Sequence, residues 1–314
     1  MWVRWTLTGI AMGFLTLFVI LPAVNVFSQA LSNGVNAYIG DFFPRHGVTG
    51  APLPRAQRRQ IAQAAQTWAS IRMTVGVAAI AVPINLLFGV AAAWLIAKFR
   101  FKGRSLLIAL IDLPFSVSPV IAGLIFVLMF GRDGWLGNWA THLNWAFPAP
   151  TWRGLDGHVW PVGYEMEHFT GIIFTPMATV IATLFITFPF VARNLIPLME
   201  AQGNDEELAA ATLGAGGWAI FRRVTLPNIK WGLLYGVILC NARAMGEFGA
   251  VSVVGGDQDS TRTVPLRVEQ LYLGGSLQAA FAVASILTLL ALVTLVFKSI
   301  LEWKQRRDLA AAGE

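Results

Sequence analysis

Two oppositely charged residues lie four positions apart within a long apolar segment of this 314-residue chain. They are Arg243 and Glu247, in the segment 241–250 (NARAMGEFGA). Residues at this spacing share one face of a helix, so the two charges can partly neutralise each other. Charged groups are costly in lipid and usually face a cavity or another helix. The pair is therefore predicted to be either a buried strut between helices or part of a pathway or gate that touches an anionic substrate.

A carboxylate, two hydroxyls and two prolines lie within residues 112–119 (DLPFSVSP), again in an apolar segment. The polar side chains are Asp112, Ser116 and Ser118. Proline removes a backbone donor and bends a helix, which frees nearby carbonyl groups. We therefore predict a kinked helix here, and residues 187–193 (TFPFVAR) repeat the proline break in a later apolar segment.

Motifs of catalytic chemistry are absent from the sequence. It contains no GxxxxGK[ST] phosphate loop, no HExxH zinc motif and no GxSxG nucleophile motif. Its single cysteine, Cys240, excludes a disulfide within the chain, and its four histidines match no metal-ligand spacing. We therefore predict no catalytic residue, no metal and no cofactor in this chain, and any energy used must come from elsewhere.

The composition is that of a membrane protein. Hydrophobic residues make up 56% of the chain and charged residues 13%, whereas soluble domains contain roughly 25% charged residues. Six apolar segments reach the ~20 residues that a helix needs to cross a bilayer, whereas transmembrane strands are about half as long. The fold class is therefore predicted to be all-α, with six transmembrane helices. These segments are residues 5–30, 73–97, 106–130, 169–192, 231–255 and 277–297.

The first apolar segment also has features of a cleavable signal peptide. Arg4 precedes it, and residues 28–30 (SQA) resemble a cleavage site. Its apolar core, residues 7–26, exceeds the roughly 15 residues of a typical signal core, so a retained helix is predicted.

Basic residues predict the orientation of the chain. The segments after the second, fourth and sixth predicted spans lie on one side of the membrane, and with Arg4 they contain thirteen lysines and arginines. Nine lysines and arginines lie on the other side. Both termini are therefore expected in the cytoplasm. No clustered basic and aromatic pattern favours nucleic-acid binding.

Two of the predicted outer segments are long. Residues 32–66 include a basic helical stretch that could lie along the membrane surface. Residues 132–168 contain five tryptophans interleaved with prolines. Such rings form an interfacial belt or the small core of a folded loop, and a docking surface for an external partner is the alternative.

A polar stretch between the fourth and fifth predicted spans, residues 206–227, is predicted to dock a partner, and we call it the handle. It begins with strong helix formers and has Glu206 and Glu207 in the first turn, where acids favour the helix dipole. Glycines interrupt this helix from Gly214 onward, and Pro227 closes the element before the next span. A solvated amphipathic loop is the alternative interpretation.

The handle resembles the coupling-helix motif of ABC importer permeases, which is EAAxxxG followed by nine residues and IxLP. One position departs, because Leu208 occupies the place of the motif's glutamate and Glu207 comes one residue earlier. Which acidic residue meets the ATPase is therefore open. The residues that match at the motif spacing are Ala209, Ala210, Gly214, Val224, Leu226 and Pro227.

A wider part of the sequence is similar to the same family. Residues 112–123, 221–231 and 242–254 resemble sulfate/thiosulfate permease subunits of the CysW type, and the resemblance covers roughly residues 68–303. It implies a type I ABC importer permease (MetI-like) fold. The implied domains are residues 1–67, the first helix with an extracytoplasmic segment; 68–303, the permease domain, with an outer insertion at about 132–168 and a coupling loop at about 200–227; and 304–314, a cytoplasmic tail.

The resemblance also implies partners. They are a second, related permease subunit, a dimer of a cytoplasmic ABC ATPase, a periplasmic sulfate-binding protein and the lipid of the bacterial inner membrane. ATP and Mg²⁺ would bind to the ATPase, not to this chain. Closure of the ATPase on ATP would then swing the permease from inward-open to outward-open.

Two sets of site residues follow from the resemblance. A dianion in the passage should meet hydroxyls, backbone N–H groups and helix N-termini, because a tight cationic site would slow its release. The ATPase-coupling residues are expected to be Glu206, Glu207, Ala209, Ala210, Gly214, Leu226 and Pro227. The candidate residues for the translocation pathway or gate are Asp112, Ser116, Ser118, Arg243 and Glu247.

Two other functions remain open. A molybdate or tungstate ABC permease fits residues 246–250 almost as well, whereas residues 112–123 favour sulfate. A secondary anion transporter would need no ATPase and should show internal repeats with paired broken helices. The three broken spans of this chain show no clear duplication.

Overall fold

The computed structural model describes residues 2–43, 55–150, 164–255 and 261–312. These residues are predominantly helical, as predicted, with one two-stranded sheet in addition. Two π-helical turns, Thr16–Ile20 and Phe221–Thr225, continue directly into α-helices. The elements are α1 (Trp2–Leu15), α2 (Leu21–Ala30), α3 (Val35–Phe42), α4 (Arg55–Lys98), α5 (Arg104–Ser116), α6 (Pro119–Phe130), α7 (Gly137–Thr141), β1 (Asn144–Pro150), β2 (Tyr164–Thr170), α8 (Pro176–Thr187), α9 (Pro189–Gln202), α10 (Asp205–Thr212), α11 (Gly217–Ile220), α12 (Leu226–Met245), α13 (Gly249–Val254), α14 (Val264–Leu273) and α15 (Leu277–Ala312).

Fewer helices than the six predicted are long and apolar enough to cross a membrane. The third predicted span is broken, because α5 and α6 meet at 106°. It is a broken span or a re-entrant loop, and counting it as one span gives five in the described part of the chain. The prediction of six is not confirmed. The four continuous candidates are Trp2–Ala30, Gln57–Lys98, Pro176–Gln202 and Leu277–Lys304.

The fifth predicted span, residues 231–255, is not a single helix. α12 ends at Met245, and the chain turns before it resumes as the six-residue α13. Gly246 follows the last residue of α12, a position where glycine commonly ends a helix. The carboxylate of Glu247 then accepts a 3.0 Å hydrogen bond from the backbone N–H of Ala250 in the first turn of α13. Side-chain capping of a new helix therefore favours the break.

The predicted outer insertion contains the only strands among the described residues. β1 and β2 pair with each other, and β2 runs two residues past this segment, to Thr170. Two of its five tryptophans, Trp152 and Trp160, lie outside the described residues, as do residues 44–54 of the first outer segment.

The chain divides into two compact units, each with its own core. Of the described residues, one unit takes those in Met1–Arg72, Pro148–Glu167 and Arg262–Ala291, and the other takes those in Met73–Phe147, His168–Thr261 and Leu292–Glu314.

The first unit is held together around α3, α14 and the first part of α15. Phe42 packs with apolar side chains of α14 and α15. The indole Nε1 of Trp68 donates a 3.0 Å hydrogen bond to the carbonyl of Phe42, and the hydroxyl of Tyr38 lies 3.0 Å from that of Ser285. Burial raises the pKa of Asp41, in α3, to about 6. Most side chains of α1 and α2 are exposed, so these helices present an apolar surface to their surroundings.

In the second unit, one buried amide joins three helices. Asn85 of α4 is 1% exposed. Its Nδ2 donates a 2.7 Å hydrogen bond to Thr187 Oγ1 and a 3.3 Å bond to the carbonyl of Leu184, both in α8. The same nitrogen lies 3.9 Å from Sγ of Cys240 in α12. Buried polar groups are costly unless they are bonded, so this junction fixes α4, α8 and α12 relative to one another.

α6 and α13 approach each other so closely that only glycine fits at their contacts. A Cβ atom on Gly123 would lie 2.8 Å from the carbonyl oxygen of Ala250. A Cβ atom on Gly249 would lie 3.0 Å from Cβ of Pro119. Because Pro119 begins α6 and Gly249 begins α13, the two helix breaks lie side by side.

We predict that Gly123→Ala destabilises the protein. Its added methyl would overlap a backbone carbonyl, and overpacking of this kind costs about 1–3 kcal/mol. Gly76→Ala is the matched control, since Gly76 lies in α4 with no heavy atom within 4 Å of the place that an added methyl would take. Thermal unfolding in detergent measures both. Equal midpoints for the two variants would contradict the close approach of α6 and α13.

Candidate functional site

The handle projects an apolar surface. Its helix, α10, contains no buried residue. Leu208 is 61% exposed, Leu213 is 89% exposed and Trp218 is 74% exposed. Large apolar side chains that project from a polar loop are typical of a surface that binds another protein.

The two acids of the handle bind within the chain. Oε2 of Glu207 lies 2.7 Å from Nζ of Lys98, the last residue of α4. Oε1 of Glu207 accepts a 2.8 Å hydrogen bond from the hydroxyl of Thr225, which immediately precedes α12. Glu206 accepts a hydrogen bond from the side-chain amide of Asn228 in the first turn of α12. The assignment of both acids to an ATPase contact stays a prediction.

The other predicted coupling residues occupy both ends of the handle. Ala209 is exposed and Ala210 is half-buried in α10. Gly214 follows α10 with a φ of 85°, a left-handed conformation that favours glycine. Leu226 and Pro227 are the first two residues of α12, and Leu226 packs against the core cluster around α9 and α12. The handle is thus continuous with the start of α12.

Arg243 and Glu247 form the ion pair that their spacing predicts. Nη1 of Arg243 lies 2.6 Å from Oε2 of Glu247, and the Glu247 side chain is 1% exposed. Because Glu247 also binds the N–H of Ala250, the pair joins the end of α12 to the start of α13. The Arg243 side chain is 32% exposed, so it remains open to a further contact. The ion pair therefore acts as a strut between α12 and α13, and the charged group of Arg243 remains accessible.

The passage candidates between residues 112 and 118 fall into two groups. Asp112 lies 3.5 Å from Nε of Arg193 in α9, and the guanidinium of Arg193 lies over the ring of Phe115. Ser116 and Ser118 are exposed on either side of the break between α5 and α6. The structure therefore brings the two serines, but not Asp112, to the place where the helix breaks adjoin.

Three residues at these sites were not anticipated from the sequence. Lys98 and Thr225 bind Glu207, and Arg193 binds Asp112. No local sequence pattern indicates these partners, because each contact joins segments that are separate in the sequence. Among the described residues, no group of three or more His, Cys, Asp or Glu side chains could hold a metal ion.

Comparisons with known proteins give consistent results. The family model "Binding-protein-dependent transport system inner membrane component" matches residues 85–307. The chain is 44% identical over 301 residues to the sulfate transport system permease protein CysW of Synechocystis sp., covering 96% of this chain and 93% of the relative. It is 42% identical over 304 residues to CysW of Escherichia coli, covering 96% and 89%.

A solved structure resembles the fold across nearly the whole chain. It is a bacterial alginate ABC transporter in complex with an alginate pentasaccharide-bound periplasmic protein. One of its chains aligns with a TM-score of 0.67 at 14% identity, covering 95% of this chain and 92% of that one. This likeness supports the fold and carries no information about the substrate.

We predict that Glu247→Ala lowers stability more than Glu247→Gln. The alanine variant leaves both the N–H of Ala250 and the guanidinium of Arg243 without this partner, and a buried donor left without an acceptor costs about 1–3 kcal/mol. Glutamine keeps an acceptor for the N–H, so we expect a smaller loss. Thermal unfolding of the purified variants measures the difference.

The matched control for this prediction is Glu302→Ala, which removes an exposed i,i+4 pair with Lys298. We expect almost no change there, because exposed pairs contribute little. A Glu247→Ala variant as stable as Glu302→Ala would contradict the strut.

Proposed function

Because the chain belongs to the family of binding-protein-dependent transport system inner membrane components, we propose that it is the permease subunit of an ATP-driven ABC importer that carries sulfate or thiosulfate into the cell. The observation that carries this proposal is the likeness to CysW proteins over 96% of the chain. The exposed apolar handle and the adjoining helix breaks give that function a physical basis.

The handle is proposed to receive movement from a separate ATPase dimer, which binds ATP and Mg²⁺. Leu208, Leu213 and Trp218 offer the apolar area that such a contact would bury. Movement would pass from the handle into α12, since Leu226 begins that helix and packs against its neighbours. Asn85 then carries the movement from α12 to α4 and α8, because its amide contacts all three helices.

The passage is proposed to lie where α5 breaks into α6 and α12 breaks into α13. Ser116 and Ser118 provide hydroxyls, and the first N–H groups of α6 have no partner within that helix. Arg243 adds a positive group that Glu247 partly neutralises. Such a surface would bind a dianion weakly enough to release it. Alternating access at this place would complete the transport cycle.

The proposed importer includes two further partners. A second, related permease subunit would cover the exposed apolar face of α6, which includes Val120, Ile121 and Leu124. A periplasmic sulfate-binding protein would deliver the anion to the outer side. The periplasmic protein bound to the alginate transporter is a precedent for that arrangement in the same fold.

The proposed location is the bacterial inner membrane, with both termini in the cytoplasm. Lys98 and Glu207 are in contact, so the basic segment after α4 and the handle lie on the same side. Both segments carry the basic residues that favour the cytoplasmic side.

We predict ATP-dependent uptake of labelled sulfate by vesicles that contain this chain, the second permease, the ATPase and a binding protein. Each component is omitted in turn as a control, and labelled molybdate is offered in a parallel assay. Uptake of molybdate alone would identify the alternative molybdate or tungstate permease. Uptake of sulfate without ATP or ATPase would instead identify a secondary transporter.

We predict that Gly214→Val uncouples ATP hydrolysis from uptake while the complex still assembles. A side chain at the left-handed φ of 85° costs about 1–2 kcal/mol and would alter the projecting end of α10. We expect the sulfate transported per ATP hydrolysed to fall about tenfold.

The matched control for Gly214 is Gly34→Val. Gly34 has a similar φ of 90° and likewise no heavy atom within 4 Å of the place that an added Cβ would take, but it precedes α3. A strained backbone at Gly34, which lies outside the handle, should leave coupling unchanged. Unimpaired coupling in Gly214→Val would remove the handle from the transport mechanism.

A further inference from the structure

The end of α4 is attached to the start of the handle by the ammonium group of Lys98, in addition to the contact between the rings of Trp94 in α4 and Phe221 in the handle, whose centroids are 5.5 Å apart. Lys98 is the last residue of α4, and only 7% of its side chain is exposed. Its Nζ donates a hydrogen bond to the carbonyl of Gly203, just before α10, and lies 2.7 Å from Oε2 of Glu207 in the first turn of α10. The Lys98 side chain therefore binds both the residue two positions before α10 and the first turn of that helix.

The partner carboxylate connects a second helix. The Glu207 side chain is 17% exposed, and its other oxygen accepts the hydrogen bond from Thr225, which is 2% exposed. Thr225 immediately precedes α12. Glu207 thus lies between the end of α4 and the start of α12, and it binds both.

Apolar packing does not provide an equivalent attachment for α10. This helix has no buried residue, and the large apolar side chains of Leu208 within it and Leu213 directly after it are exposed. Polar bonds from Glu206 and Glu207 therefore contribute much of the contact between α10 and the helices behind it. Because Glu207 binds Lys98 through one oxygen and Thr225 through the other, its carboxylate connects α10 to both neighbouring helices.

We propose that Lys98 and Glu207 form a transmission pair that makes α4 move with the handle, alongside the covalent connection to α12. This inference rests on the proposed function, since it requires the handle to receive movement from an ATPase. Glu207 is then a positioning residue that acts through Lys98 and Thr225, while the exposed apolar side chains of α10 meet the partner. Earlier in α4, the amide of Asn85 holds the same helix against α8 and α12.

The test uses the complete importer in vesicles and measures two quantities, ATPase co-purification and sulfate transported per ATP hydrolysed. For Lys98→Gln and Glu207→Gln we expect normal co-purification and an approximately tenfold lower transport ratio. Lys98→Arg keeps the charge and should retain most of the coupling. Because the two residues act as a unit, the double variant should lose no more than either single variant.

Matched controls remove the same charges nearby. Lys102→Gln changes an exposed lysine in the turn after α4, and Asp205→Asn changes an exposed acid in the first turn of α10. Neither should alter the transport ratio. A purely structural role for the pair would lower the thermal midpoint and the amount of complex without changing the ratio, and that result would overturn the inference.

Other outcomes separate this inference from the proposed function. Loss of ATPase binding in Glu207→Gln would make Glu207 a docking residue and would overturn the transmission pair while leaving the importer intact. A double variant whose loss equals the product of the two single losses would also overturn it. If the unaltered complex shows no ATP-driven uptake, the proposed function itself fails.

Discussion

A helix can be interrupted at membrane depth only where its freed backbone groups find partners or reach water. This constraint governs the breaks between α5 and α6 and between α12 and α13. At the second break the carboxylate of Glu247 binds a backbone N–H that starts the new helix. Gly123 and Gly249 then allow α6 and α13 to lie against each other, so the two breaks share one location. The place where both helices are interrupted is therefore also a closely packed junction.

Stable packing around the breaks has a mechanical consequence. Helices that only contact each other through apolar side chains can slide, because dispersion and apolar burial have little directional preference. The hydrogen bonds of the Asn85 amide are directional, the ion pair of Lys98 and Glu207 is supported by a second bond from Thr225, and each contact joins α4 to another helix. Asn85 lies 13 residues before Lys98, the last residue of α4. A force on the handle would therefore move a group of helices together, and the proposed passage at the breaks would change with it.

Local sequence patterns predicted much of this structure, and long-range contacts account for what they missed. Proline and serine spacing predicted the break in residues 112–119, and i,i+4 spacing predicted the pair of Arg243 and Glu247. Apolar length overestimated the span at residues 231–255, because it takes no account of a helix that ends at Met245. The partners of Glu207 could not be predicted, since Lys98 and Thr225 are distant in sequence. Their meeting depends on how the helices pack.

The structure gives a physical reason why the handle can depart from the coupling-helix motif at one position. Leu208 occupies the place of the motif's glutamate and is 61% exposed. Complete burial of a leucine side chain against a partner contributes about 1.5–3 kcal/mol, whereas an exposed ion pair contributes about 0–1 kcal/mol. A contact through Leu208 would therefore need no acid on the outer side of α10. The neighbouring Glu207 can then bind inward to Lys98, so that one short helix has an exposed apolar side chain on one face and an ionic contact on the other that holds it to the helices behind.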